Sequence, residues 1–435
     1  MRETVVKTEE FKDSPLGKIP KDWDVVPLSS VFQIQSGATP LRTKHQSYFV
    51  GGTIPWVKTM DLNEGWIVDT DERITEIALK ECSVQLLPPK TVLIAMYGGW
   101  EQIGRTGILK DSASTNQAIS SLIKISPLVE PEFVLRALQY GRFRWKGIAA
   151  STRKDPNITR DDVVNFLIPL PPLDEQRHIA EILDTVDETI AHTTTLIAKL
   201  KLMKAGLLHD LLTRGLDENR ELRDAIGHPE QFKESPLGQI PKDWCVGKLD
   251  NLAINHDGRR IPLKQSDRDK MEGIYPYYGA SGVIDWVDSY LFEGDYVLLG
   301  EDGENVVSRQ LPLAFRARGR FWVNNHAHIY EPLPNVDIRF LNELLEFTDY
   351  SALVSGSAQP KLTQDALNRL YFRIPKPKEQ VLIADIVNTY NTRIRTEEAY
   401  RDKLKLQKQG MMHDLLTGKV RVKDLDKFTP ASDTV

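Results

Sequence analysis

His326 and His328, in the stretch NNHAHIY, stand two residues apart and would share one face of a strand, a spacing at which imidazoles can hold a metal. No third ligand is evident, and Cys82 and Cys245 form no C-x-x-C pair, so no metal is assigned. His209 and His413 recur at matching places in HDLLT, near helix ends, where a cationic imidazole favours the helix dipole or fills an interface. The structural reading is preferred for both. Nucleotide and nuclease chemistry lacks its residues. There is no G-x-x-x-x-G-K-[ST] for ATP, no F-x-G-x-G for a methyl-donor nucleotide, no Asn or Asp before a Pro-Pro-aromatic triplet, and no Pro-Asp dipeptide. YGGWEQIG at 97–104 has the wrong glycine spacing for a dinucleotide loop and reads as a turn or a DNA-facing loop. No catalytic residue is assigned.

What remains is binding chemistry. RFRWKGIAASTRK, from Arg142 to Lys154, holds five basic residues and no acid, with Phe143 and Trp145 interleaved. FRARGRFW, at 315–322, sets Arg316, Arg318 and Arg320 among Phe315, Phe321 and Trp322. Basic groups neutralise phosphates and release counterions, and aromatic planes stack on bases. The net charge of −5, from 56 Lys plus Arg against 61 Asp plus Glu, would not by itself suggest nucleic acid. A solvated face anchored from beneath by its aromatics is the alternative reading of either cluster.

The elements that must position these residues come in two copies. FKDSPLGKIPKDWDVVPL at 11–28 matches FKESPLGQIPKDWCVGKL at 232–249. EQRHIAEILDT from Glu175 matches EQVLIADIVNT from Glu379, and KLKLMKAGLLHDLLT from Lys199 matches KLKLQKQGMMHDLLT from Lys403, both at one offset of 204 residues. Between these ends the halves diverge, although TVLIAMYGG aligns with YVLLGEDGE, NQA at 116–118 with NHA at 325–327, and PNITRD with PKLTQD. Ends kept alike around unlike middles suit a common frame that presents two different target surfaces.

After Pro171 the helical period is plain in Ile179, Ile182, Val186, Ile190, Ile197, Leu200, Met203, Leu207 and Leu211. After Pro375 it returns in Ile383, Ile386, Tyr390, Ile394, Leu404, Met411 and Leu415. Each stripe predicts a rod of about 40 residues, or about 60 Å at 1.5 Å per residue, with Gly206 weakening the end of the first. Gly215 and Gly418 follow LLT where helices end. Such stripes bury on each other. Ile179, Ile182, Val186, Ile190 and Leu200 are expected to pack with Ile383, Ile386, Tyr390, Ile394 and Leu404 as a coiled-coil-like spacer. The proline-rich decapeptide, SPLGKIPKDW and its repeat, predicts an extended, polyproline-like strap closed by a buried indole. The middles predict short strands bounded by Gly, Pro, Asn and Asp, with helices over 130–141 and 336–348 and short Thr-capped helices at ITRDDVV and LTQDALN.

Taken together, LGKIPKDW and LGQIPKDW, SGATP, IPWVKTMDL, PLPPLDEQRHIAEIL, IPKPKEQVLIADIV, LLTRGL and LLTGKV resemble the specificity subunit of type I restriction-modification systems, over about residues 11–422. The resemblance implies a non-catalytic DNA-binding subunit of mixed α/β (α+β) class. In that family two target-recognition domains are held apart by two long antiparallel helices with an internal pseudo-two-fold repeat, and each domain reads one half of a split, asymmetric site. It further implies two methyltransferase subunits that carry S-adenosylmethionine and restriction subunits that translocate and cut DNA with ATP and Mg. This chain itself would bind none of these cofactors. A specificity subunit of a related type II system (IIB/IIG-like) and a stand-alone DNA-modifying enzyme are the alternatives.

The expected division is an N-terminal strap over 1–28, a first recognition domain over 29–170, a central helical region over 171–216, and a linker with the second strap over 217–249. A second recognition domain over 250–373, a C-terminal helical region over 374–422 and a polar tail over 423–435 complete it. Base readout needs Arg for guanine and Asn or Gln for adenine, with Lys and Arg on phosphates. The DNA-binding candidates are therefore Thr39, Lys58, Arg105, Asn116, Gln117, Arg153 and Lys154 in the first domain. In the second they are Arg259, Arg260, Arg316, Arg318, Asn325, Gln359 and Lys361. Two cysteines in 435 residues and no apolar run of membrane length point to a reducing cytoplasm, without secretion or membrane insertion.

Overall fold

The computed structural model describes residues 11–149, 157–353 and 360–422. The helical periods become α1 (Pro131–Tyr140), α2 (Leu173–Thr213), α3 (Ile338–Phe347) and α4 (Pro377–Leu416). Proline is accommodated in the first turn of α1 and of α4, where its missing N–H is no loss. α2 runs 41 residues without a break at Gly206, so that glycine does not end the rod. Buried Leu208, Leu211 and Leu212 just beyond it outweigh the intrinsic cost of a mid-helix glycine, about 1 kcal/mol. Gly215 and Gly418, at φ +63° and +69°, follow the two rods in the left-handed conformation that glycine adopts without strain.

The chain forms two compact units. One contains the described residues up to Thr193 together with those from Tyr400 onward, and the other spans Thr194–Ala399. Each rod is therefore shared: the first unit holds the start of α2 and the end of α4, and the second holds the start of α4 and the end of α2. Within the first unit the two segments run antiparallel, since Glu175 pairs with Arg421 and Asp187 with Lys408. Within the second, Lys201 pairs with Glu398 and Glu379 with Arg223, again in opposite directions.

In the first unit, strands β1 (Phe32–Ser36), β2 (Trp66–Ile67), β3 (Val92–Ala95), β4 (Thr106–Leu109) and β5 (Ile119–Lys124) form a sheet of order β1-β5-β3-β4-β2. Only the β2–β4 pair is parallel. In the second, β6 (Ala253–Asn255), β7 (Glu272–Gly279), β8 (Gly282–Val287), β9 (Phe292–Gly300), β10 (Ala314–Val323) and β11 (Ala327–Pro332) form a sheet of order β6-β11-β9-β10-β7-β8. Here only β7–β10 is parallel. Strands β1-β5-β3-β4 and β6-β11-β9-β10 are the same four-strand skeleton; the first unit adds β2 at its far edge and a separate sheet of Ser114–Thr115, Ile54–Val57 and Arg73–Ile74, and the second adds β7 and β8. β3, VLIA, is buried on both faces, which explains its unbroken apolar run.

In the first unit one face of the skeleton packs on α1, on Ile179, Ala180 and Leu183 of α2, and on Leu415 and Leu416 of α4. In the second, α3 packs with Ile383, Ala384 and Val387 of α4 and Leu208, Leu211 and Leu212 of α2. Of the stripe residues, Ile179, Ile197, Leu211, Ile383, Ile394 and Leu415 are buried, while Ile182, Val186, Ile190, Leu200, Leu207, Ile386, Tyr390 and Leu404 are half-buried. Met203 and Met411 are exposed, contrary to their place in the predicted stripe. The buried faces resume beyond both methionines, at Leu208 and Leu211 in α2 and at Leu415 and Leu416 in α4.

The straps differ from the expected polyproline form. Phe11–Ser14 pairs antiparallel with Gly17–Pro20, and Phe232–Lys233 with Ile240–Pro241. At both tips a serine hydroxyl closes the turn. Ser14 Oγ donates to Gly17 O (2.6 Å) and accepts from Leu16 N (3.1 Å), and Ser235 repeats both bonds with Gly238 and Leu237. Gly17 and Gly238, at φ +95° and +82°, allow the reversal, and the prolines occupy the tip and strand end, so the pairing survives them. The indoles of Trp23 and Trp244 are buried as expected.

Candidate nucleic-acid interface

Antiparallel register places three loops of the first unit at one end of its sheet. Ser36 faces Ser120, Ala95 faces Ile119 and Ile94 faces Thr106, so the segments 37–40, 96–105 and 116–118 emerge together. They are tied by Ala38 N to Thr115 O (3.0 Å), Met96 N to Ala118 O (2.8 Å) and Asn116 N to Val57 O (2.9 Å). Gly37 is required there, because a Cβ would lie 2.2 Å from the Asn116 carbonyl oxygen. This brings Thr39, Lys58, Asn116 and Gln117 together, with Arg105 at the foot of the 96–105 loop.

Their side chains are not equally free. Thr39 and Gln117 are exposed. Lys58 pairs with Glu72 (3.0 Å) and Asp71 (3.6 Å), and Arg105 bonds to Gln102 (2.9 Å) and the Leu62 carbonyl. Asn116 Oδ1 accepts from Ala118 N (3.1 Å), forming an Asx turn. Arg153 and Lys154 lie outside the described residues. In the described part of the basic cluster before them, Phe143 and Lys146 are exposed while Arg142, Arg144 and Trp145 turn inward. Arg142 spans to the Ile103 and Glu101 carbonyls, Arg144 bonds to Leu167 O and lies 4.1 Å over Phe166, and Trp145 is buried. Exposed Tyr97 and Trp100, in the 96–105 loop, were not among the candidates although YGGWEQIG was singled out; their exposure is the signal a single sequence does not carry.

The second unit repeats the arrangement. Asn255 faces Tyr330, Gly300 faces Ala327 and Leu299 faces Ala314, so loops 256–260, 301–313 and 324–326 emerge at one end. The segment from Pro360 joins them through Gly303 N to Pro360 O (3.1 Å) and Leu362 N to Glu301 O (2.7 Å). Beneath the loops is a charge network. His328 Nδ1 meets Asp257 (2.5 Å), its Nε2 lies 2.9 Å from Leu362 O, Arg260 binds Glu301 (2.6 Å), and Lys361 reaches Glu301 (3.1 Å). Burial alone would raise the Asp257 and Glu301 carboxyls. For Asp257 the His328 imidazole, the Ile329 N–H and Arg260 hold it below the usual carboxylate range; for Glu301 Arg260, His328 and Lys361 do so. His326 sits in the turn before β11 and pairs with Asp302 (2.8 Å), so the two histidines face different partners instead of one metal. Among the described residues no three metal-ligating side chains converge.

Arg260 and Lys361 thus anchor loops, while Arg259 is exposed over the Phe292 ring at 4.6 Å. Asn325 is exposed at the turn tip, and Gln359 lies outside the described residues. The Asx turn there is made by Asn324, whose Oδ1 accepts from His326 N (2.8 Å). Asn116 therefore corresponds to Asn324, and Gln117 to Asn325, one residue from the alignment of NQA with NHA. Arg316 and Arg318 lie elsewhere, along β10 rather than at the loop end, where both bind Asp295 and Arg320 binds Glu293 (3.2 Å). At the rod ends, His413 Nδ1 meets the Tyr140 hydroxyl (2.8 Å) and His209 lies 6.0 Å from Phe347. No helix among the described residues is long and apolar enough to cross a membrane.

Two loop-bearing sheets on one repeated frame have counterparts among known proteins. The pattern that defines the type I restriction modification DNA specificity domain matches residues 20–202 and again 241–406. The type I restriction enzyme MjaVIII specificity subunit of Methanocaldococcus jannaschii is 25% identical over 449 residues, covering 97% of this chain and 98% of the relative. The EcoprrI specificity subunit of Escherichia coli is 26% identical, covering 84% of this chain and 87% of the relative. In fold, the chain is similar to the crystal structure of the type I restriction-modification S subunit from M. genitalium, with a TM-score of 0.57 and 17% identity over 91% of this chain and 96% of that one. The repeated match, spanning most of the sequence, gives the chain a DNA-recognition role rather than a catalytic one: it belongs to the type I restriction-modification specificity-subunit family.

Proposed function

We propose that the chain reads a bipartite, asymmetric DNA site, one half-site per recognition domain, and carries the methyltransferase and restriction subunits of its complex. The observation that supports this reading most directly is the pair of loop ends. One four-strand skeleton presents QSGATP, YGGWEQIG and the Gln117 turn in one unit, and HDGRRIP, EDGENVV and the Asn325 turn in the other. The same geometry with different side chains reads different bases. Gln117, Asn325, Thr39 and Arg259 are exposed and, among the described residues, not ion-paired, and are assigned to base edges or phosphates. Lys58, Arg105, Asn116, Arg260 and Lys361 hold the loops that present them. The internally paired Arg316 and Arg318 would bind phosphate by exchanging Asp295 for it.

In this reading two methyltransferase subunits bring S-adenosylmethionine, restriction subunits bring ATP and Mg, and the whole acts in the cytoplasm. The deciding experiment is adenine-methylation mapping in cells carrying this chain with its partner subunits. A split motif with two unlike halves is expected, and a palindrome would overturn the reading. Gln117→Ala should relax the first half alone and Asn325→Ala the second alone, each by about 1–3 kcal/mol of base discrimination, read as altered occupancy of single-base variants of the site.

A further inference from the structure

Where α1 and α3 sit on the rods, the two units differ in one buried charge, and the difference is compensated. α1 and α3 occupy equivalent seats. The backbone N–H of Glu130, before α1, donates to Gln176 Oε1 (2.8 Å), and that of Asp337, before α3, donates to Gln380 Oε1 (3.1 Å). Six residues on from these caps, α1 carries Arg136 and α3 carries Glu343. Arg136, 4% exposed in its side chain, binds Asp184 through Nε (3.1 Å) and Asp187 through Nη1 (2.7 Å), both on α2. Lys408 of α4 closes the set on Asp187 (2.6 Å). Glu343, 12% exposed in its side chain, instead binds Lys204 of α2 (3.0 Å) and accepts from Asn391 Nδ2 of α4 (3.1 Å).

At the 204-residue offset of the rods, Asp184 corresponds to Asn388, Asp187 to Asn391, and Lys204 to Lys408. The lysine is kept, while the domain residue and its two rod partners change together. The first unit thus has two cations and two carboxylates, and the second has one of each. An exchange of the domain helices alone would set Arg136 beside Lys204 with no carboxylate. It would also set Glu343 beside Asp184 and Asp187 with only Lys408 to answer them. Uncompensated charge at such depth is strongly destabilising.

We infer that Arg136 and Glu343 are positioning residues that, with Asp184 and Asp187 against Asn388 and Asn391, form a matched charge set seating each recognition domain on its own rod. The set rests on the equivalence of the two seats and is independent of which bases are read.

The test is the unfolding temperature of the full-length chain. Arg136→Glu and the pair Asp184→Asn with Asp187→Asn should each lower the midpoint by about 5 °C or more. The three together, which give the first seat the second seat's set, should recover at least about half of that loss, by the coupling expected of contacting residues. Arg136→Lys, which keeps the charge, should fall less than Arg136→Met. The reciprocal series, Glu343→Arg without and with Asn388→Asp and Asn391→Asp, carries the same decision should Arg136→Glu fail to fold. Losses that simply add, or a triple variant that stays unfolded, would overturn the inference.

Discussion

Each strap tryptophan closes a joint between the start of one rod and the end of the other. Trp23 Nε1 donates to Glu175 Oε2 (3.0 Å), and the same carboxylate accepts from Arg421 (2.7 Å), which also holds Asp22. Trp244 Nε1 donates to Glu379 Oε2 (2.8 Å), which accepts from Arg223 (2.7 Å). Gly418 lies against Trp23 and Gly215 against Trp244, where a Cβ would come within 3.2 Å and 2.4 Å of the indole carbons. Glu379→Gln keeps the shape but removes the nearer of the two carboxylates on Arg223, leaving Asp243 at 3.4 Å, at a site where the Arg223 and Glu379 side chains are about 10% exposed. A loss of about 2–3 kcal/mol is expected, read from chemical denaturation. Gly215→Ala, strained by both its φ and the close indole, should be at least as damaging. The burial of the two indoles was legible in the repeated IPKDW. The partners were not, because Arg421 meets Glu175 across 246 residues and the equivalent Arg223 sits in a linker of different length.

The network under the second unit's loops also sets a pH response. Asp257 and Glu301 are held below the usual carboxylate range, so their contribution to stability is complete above about pH 4 to 5. It is lost as pH falls through their lowered values. Unfolding followed as a function of pH should show a plateau from pH 7 to about 5 and a decline below about 4, and Asp257→Asn should shrink the decline while lowering the plateau.

At the scale of elements, the rods were the most legible part of the chain and the loops the least. A period of 3.6 sustained over 40 residues has one reading, and the Thr159 and Thr363 caps appear as expected, each accepting from a backbone N–H at 3.2 Å. The strap conformation was misread because composition reports the prolines but not the serine bridge that turns them. For the candidate site, residue type picked positions in the loop ends of both sheets but also Arg316 and Arg318, which lie along β10. It could not separate exposed Gln117 and Asn325 from Lys58 and Arg260, whose charges are spent internally, since ion pairing is a matter of tertiary contact. The rods also retain slack. Gly206 of α2 and Gly410 of α4 stand at equivalent places, both exposed, and a Cβ on either would meet nothing within 4 Å. Gly206→Ala and Gly410→Ala should each stabilise the chain by about 0.5–1 kcal/mol, since alanine loses less backbone freedom on entering a helix. Calorimetry of the full chain would check the sign, and a loss on either substitution would mean that the helix bends there in solution.

For the whole molecule, each seat being built from the start of one rod and the end of the other has a consequence for how specificity can be changed. The Trp–Glu–Arg joint, the buried glutamine cap and the constant lysine occur in both units, so either recognition domain meets the same framework wherever it is placed. The charge set is the buried feature that most sharply distinguishes the seats among the described residues. A chain carrying a second copy of residues 29–170 in place of 250–373 should then read an inverted repeat of the first half-site, if Asn388→Asp and Asn391→Asp are introduced with it. Without those two changes Arg136 of the transplanted domain would face Lys204 unanswered, and the chimera should melt at a lower temperature and methylate poorly. Binding of either chimera to DNA should weaken steeply with salt, by a slope set by the number of phosphates contacted, because base readout adds discrimination on top of a phosphate-borne affinity. The two changes rescuing stability but leaving an asymmetric methylation motif would uphold the charge set and refute the assignment of one half-site to each domain. Stability unaffected by them, with a symmetric motif, would do the reverse.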